Sequence, residues 1–148
     1  MVPKKKPAKI QSSPSLKTRD YNASPPEANY INLTYLQEIA GGDVRFMSDI
    51  IILFLQQSPE NVKNLNFLAK QNDWENLRKL VHKMRSPITL VGIEKLLKLL
   101  TKLEANTSKL IRLESVPSLV NLFTEVWEKA VIELQIKLNN LSQNNLEE

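Results

Sequence analysis

The sequence predicts an all-α protein, an antiparallel four-helix bundle with one short additional helix at its N-terminal side. Three observations lead there. The 148 residues include only three glycines, too few for a fold of strands and tight turns that needs positive φ repeatedly. From residue 31 onward, apolar residues recur at three- and four-residue spacing, the period of a helix face. No stretch sustains two-residue alternation with β-branched enrichment, as a half-buried strand would.

Residues 1–30 form a separate segment. They hold five of the eight prolines (Pro3, Pro7, Pro14, Pro25 and Pro26), many Ser and Lys, and little that is apolar. That is the composition of a disordered tail or interdomain linker, with too little apolar area to offset the entropy of ordering. The bundle is expected over 31–142, and 143–148 as a frayed C-terminus.

Within the bundle, Asn32 or Thr34 can cap a short helix carrying Leu33, Leu36 and Ile39, which Gly41-Gly42 stops. Asp43 caps a long segment with Phe46, Ile50, Leu53, Phe54, Val62, Leu65 and Leu68. Pro59 has no N–H to donate and crowds the preceding turn, so the Ser58-Pro59-Glu60 step is expected to bend or restart it. Asp73 caps a third helix. A fourth is expected from about Gly92 to Leu110, and a fifth from about Pro117 to Leu141, with Pro117 suited to a first turn. Short loops make neighbours antiparallel.

Charge narrows the function. The net charge is +4, but six of the 20 basic and two of the 16 acidic residues lie in 1–30, so fourteen of each sign remain from 31 onward. The excess sits in the tail, whereas a nucleic-acid-binding domain carries its basic patch on the fold. No nucleic acid is therefore expected as a partner, beyond weak salt-sensitive contact through the tail. Without cysteine there is no disulfide scaffold and no thiolate metal site, which fits a reducing compartment. One histidine and unclustered carboxylates leave no metal set, and no glycine-rich loop is present to hold ATP. The longest apolar run, Ile50–Leu55, is far short of a bilayer span. A cytoplasmic protein without membrane contact is expected.

The third helix carries the chemistry. At about 100° per residue, with Leu77 at zero, Val81, Met84, Ile88 and Val91 fall within roughly 40° of it, forming a buried stripe. His82 lies roughly 140° round, Arg78 about 100°, Arg85 about 80°, Ser86 about 180° and Thr89 about 120°. The imidazole should project into solvent, with Arg85 one turn on. An imidazole in water has a nitrogen lone pair at neutral pH and can take up a phosphoryl group covalently. A cation at i+3 is placed to hydrogen-bond the added negative charge. Trp74 and Trp127 read as packing residues, and Asp73 and Glu104 as cap or bundle-surface groups.

The stretch from Leu80 to Gly92 reads L-V-H-K-M-R-S-P-I-T-L-V-G. It resembles the signature of histidine-containing phosphotransfer (HPt) domains: a small apolar residue, His, any residue, Leu, Lys, Gly, four or five small or apolar residues, then Gly. Val81, His82, Met84, Arg85 and Gly92 take the matching places. Upstream, L-Q-E-I-A-G-G-D-V-R-F-M-S-D-I-I-I-L-F resembles the family's entry and first bundle helix. Downstream, Gly92, Leu96 and Leu103-Glu104 match its G…L…LE spacing, so the resemblance covers about 31–140. It departs at Ser86, where the family usually has Gly, and at Pro87, where a small Ser or Ala is common. Pro87 should kink or loosen the helix one turn past His82.

The resemblance implies His82 as phosphoacceptor at Nε2 and Arg85 in place of the family's phosphoryl-stabilising lysine, with Arg78, Ser86 and Thr89 on the docking face. It implies a covalent phosphocarrier and not an enzyme, taking phosphate from a receiver-domain phosphoaspartate and passing it to another receiver. Any Mg²⁺ would belong to the receiver, and the chain itself needs no cofactor. A histidine kinase in cis or trans is a further expected partner, with this segment as the C-terminal module of a hybrid kinase. Apolar residues bordering the face, Trp74 among them, would add contact surface, and the neutral bundle is expected to be a monomer. Two alternatives stay open: direct phosphorylation by a kinase domain, as in chemotaxis kinases, and a receiver-binding bundle that no longer transfers.

Overall fold

The computed structural model describes residues 29–147, with side chains to 144. Most of the expected tail, residues 1–28, lies outside the described residues. Five helices follow one another: α1 (Thr34–Ala40), α2 (Val44–Lys70), α3 (Trp74–Val91), α4 (Glu94–Lys109) and α5 (Val116–Glu147), with a 3-10 turn over Leu113–Ser115. No strand occurs among the described residues.

The caps explain the boundaries. Asn32 Oδ1 accepts from the Thr34 N–H at 3.0 Å, and Gly41 ends α1 in the left-handed region. Asp43 and Asp73 accept from the N–H groups of Phe46 and Asn76, satisfying first-turn donors of α2 and α3. Gly92 caps the C-terminus of α3 at φ +64, so α4 begins at Glu94 and not at Gly92. No Gly or Pro follows Pro117, and α5 runs past Leu141 to Glu147. Residues 143–147, expected as a frayed end, are thus helical in backbone.

Consecutive helices α2 to α5 pack side by side and α5 closes against α2, so α3 and α5 occupy opposite corners of the bundle. The Trp127 Nε1–H donates to Ser58 Oγ at 2.8 Å, and the Asn66 amide donates to Thr124 Oγ1 at 3.1 Å. Moving along α2 therefore moves backward along α5, the antiparallel arrangement. The core is one cluster built on Ile51, Leu65, Leu77, Leu100, Phe123 and Leu134. In α2 the buried residues are Met47, Ile51, Phe54, Ser58, Val62, Leu65 and Ala69. Phe46 and Leu53 stand exposed, as does Ile39 of α1: the apolar residues of these helices wrap too far round for all of them to face inward.

Both internal prolines are accommodated. Helix α2 is uninterrupted through Pro59, so of the bend or restart expected there the restart does not occur, and α3 is uninterrupted through Pro87. Around Pro59 the helix is fixed by buried Phe54 and Val62 and by the Trp127–Ser58 hydrogen bond. Tertiary packing there outweighs the penalty of about 3 kcal/mol for an interior proline. Pro87 turns towards the bundle and lines a small apolar crevice with Phe54, Met84, Ile88, Phe123 and Trp127.

The chain enters over the end of α3. The Tyr30 N–H donates to Glu133 Oε1 at 2.6 Å, and Lys95 Nζ stands 4.9 Å from the centre of the Tyr30 ring. The ordered unit thus includes Tyr30. A Cβ on Gly92 would fall inside the shell of the Asn32 backbone carbonyl, whereas one on Gly41 would meet nothing within 4 Å. Gly92→Ala is expected to destabilise the fold by more than about 2 kcal/mol, and Gly41→Ala by only about 1 kcal/mol, the strain of a left-handed residue alone. Urea denaturation of the two variants measures the difference.

Candidate functional site

The stripe expected on α3 is the stripe observed: Leu77, Val81, Met84, Ile88 and Val91 are its buried residues. Their burial fixes the rotation of the helix and turns His82 outward, with 78% of its side-chain surface exposed. Arg78, Ser86 and Thr89 are exposed on the same side. The Ser86 hydroxymethyl and the inward-turned Pro87 therefore leave the ring open. Thr89 spends its hydroxyl on the Arg85 carbonyl, donating at 2.8 Å. Trp74 is partly buried and packed against the core.

Helix α4 supplies a neighbour to His82: Glu104, expected from the sequence as a cap or bundle-surface group. Glu104 reaches across to α3, where its Oε1 accepts from Arg85 Nη2 at 2.9 Å and Nε at 3.3 Å. Arg85 Nη2 also donates to Thr101 Oγ1 at 3.1 Å. The other carboxylate oxygen, Oε2, stands 3.8 Å from His82 Nδ1. That is too long for a hydrogen bond but close enough for direct attraction to a charged ring. One carboxylate thus joins the imidazole and the guanidinium, and both Arg85 and Glu104 are about one-third exposed at 33% and 34%. Arg85 is not a free cation beside His82; two of its three nitrogens are engaged by α4.

Leu97, Thr101 and Glu104 recur at i, i+4 and i+7, one edge of the α4 apolar face. That polar edge was the available signal for Thr101 and Glu104. What it lacked was the pairing of α4 with α3, which decides whose side chains meet.

A shallow groove beside this face is lined by Tyr35 and Glu38 of α1 with Thr89, Gly92 and Leu97. It places the exposed Tyr35 along the same side as the C-terminal part of the His82 face. Among the described residues no group of three or more His, Cys, Asp or Glu is gathered to hold a metal ion. No helix among them is long and apolar enough to cross a membrane.

Comparison with protein families agrees with this architecture. The model of the Hpt domain matches residues 49–144, about two-thirds of the chain. The chain belongs to the Hpt domain family, helical modules that carry phosphoryl groups on histidine in two-component phosphorelays. Comparison with curated proteins and with solved structures gave no match.

The Arg85–Glu104 pair is partly solvated, so its worth to the fold is small. In a double-mutant cycle of Arg85→Ala and Glu104→Ala, read by urea denaturation, the coupling is expected to stay below about 1 kcal/mol. A larger coupling would make the pair structural.

Proposed function

We propose that this chain accepts a phosphoryl group on His82 Nε2 from the phosphoaspartate of a receiver domain and passes it to an aspartate of another receiver. The observation that carries this reading is the exposed imidazole with Glu104 on its Nδ1 side, which leaves Nε2 directed towards an approaching protein. With the proton on Nδ1, the Nε2 lone pair attacks phosphorus in line, the P–O bond to the aspartyl carboxylate breaks, and that carboxylate departs with the electron pair. The ring becomes an N-phosphoimidazolium, and the Glu104 carboxylate is placed to offset its charge until the Nδ1 proton leaves. Return to a second aspartate reverses these bonds.

Arg85 has two roles in this scheme. It holds Glu104 in place, and its Nη1 donors, which bond no described residue, are available to the phosphoryl oxygens. Such a charge-assisted contact contributes on the order of 1.5–3 kcal/mol. Arg78, Ser86 and Thr89 form the docking face, with the exposed Tyr35 and the partly buried Trp74 supplying apolar surface. The receiver provides any Mg²⁺ that the step needs. This chain is then a phosphocarrier, working in the cytoplasm where receivers and their kinases operate, with a histidine kinase in cis or trans as the ultimate donor. The open approach to the ring past Ser86 and Pro87 supports transfer over a bundle that only binds.

Incubation with a labelled, phosphorylated receiver tests the reading. Wild-type chain is expected to gain acid-labile label and His82→Gln none; equal labelling of the two would overturn it. Arg85→Ala is expected to slow transfer by about tenfold, corresponding to about 1.4 kcal/mol of lost stabilisation.

A further inference from the structure

Helix α5 has two faces of regular spacing. One enters the core through Val116, Val120, Phe123, Ala130 and Leu134. The opposite face runs Ser118, Leu122, Glu125, Lys129, Ile132 and Ile136, alternating four- and three-residue steps. This is the seam spacing of helices that pair with helices. Every residue of that second seam is exposed, with Leu122 at 47%, Ile132 at 62% and Ile136 at 56%. Glu125 and Lys129 stand at i, i+4 yet form no ion pair with each other or with another described residue.

The order of residue types on this seam is self-complementary. If a second copy lies antiparallel, crossing at the level of residue 127, Glu125 faces Lys129, Leu122 faces Ile132 and Ser118 faces Ile136. Two-fold symmetry repeats each layer, giving six layers over about 27 Å of helix at 1.5 Å per residue. Aliphatic side chains meet aliphatic or small ones, and the two central layers pair opposite charges. A parallel arrangement would instead set Glu125 against Glu125 and Lys129 against Lys129.

We propose that the outer face of α5 is a docking surface for a second copy of this chain, forming an antiparallel, two-fold dimer. The seam offers three aliphatic side chains per copy, at the small end of specific interfaces. The dimer is therefore a reversible one, with a dissociation constant between about 10 μM and 1 mM. It replaces the monomer expected from the neutral charge of the bundle, since neutrality says nothing about an outward apolar seam. Because α3 sits at the corner opposite α5, both His82 rings stay open in the dimer, and the proposal stands independently of the transfer reading.

Sedimentation equilibrium of the full chain up to about 1 mM is the test. The wild-type chain is expected to dimerise reversibly. Glu125→Lys alone or Lys129→Glu alone, each setting like charges in the central layers, should weaken the dimer at least about tenfold. An equimolar mixture of these two variants restores the opposite-charge layers and should associate, as should the double variant E125K/K129E. Both sites are exposed, and circular dichroism of each variant checks that its helices are intact. A chain that stays monomeric throughout, single reversals that leave dimerisation unchanged, or a mixture that fails to associate would each overturn the proposal.

Discussion

Burial of five side chains on α3 is the constraint from which the site follows. Leu77, Val81, Met84, Ile88 and Val91 are each no more than 3% exposed, and fully burying one such residue stabilises a fold by about 1.5–3 kcal/mol. Turning the helix enough to bring His82 inward would forfeit several of these contributions together. It would also desolvate an imidazole, a further cost unless new hydrogen bonds were found. The outward imidazole is thus maintained by hydrophobic packing on the far side of its own helix, with no polar contact needed to prop it out.

The polar contacts serve a different end. Glu104 is held by Arg85 through two donors on the same oxygen, which leaves its second oxygen directed to the His82 side. The α3–α4 hairpin sets this geometry, and its turn depends on Gly92, where the Asn32 carbonyl passes too close for any side chain. A residue at the chain entry therefore bears on the turn that holds the imidazole's helix against the carboxylate's. The prolines fit the same picture. Pro59 and Pro87 cost their helices backbone hydrogen bonds, yet both helices continue because packing on either side is already paid for by the core.

Helix α5 shows how one element can satisfy two demands. Its inner seam completes the bundle core, and its outer seam keeps aliphatic residues in solvent at the spacing of a helix partner. Such a seam lies on the helix diagonally across from that of His82, so the proposed self-association would leave the His82 face open. The charge order Glu125, Lys129 selects antiparallel over parallel pairing by penalising the alternative.

The all-α class, the helix starts at Asp43 and Asp73, the stripe of α3 and the outward His82 were all legible in the sequence. Each rests on local rules, the 3.6-residue period and the capping of first-turn donors, that need no knowledge of neighbours. The tertiary structure decided the rest. It kept α2 and α3 continuous through their prolines, left Ile39, Phe46 and Leu53 outside the core, and extended the ordered unit to Tyr30. It also made Glu104 a neighbour of His82 and engaged Arg85 with α4. The physical reason is common to these cases: they depend on which helix lies against which, and periodicity within one helix carries no information about the side chains facing it from another.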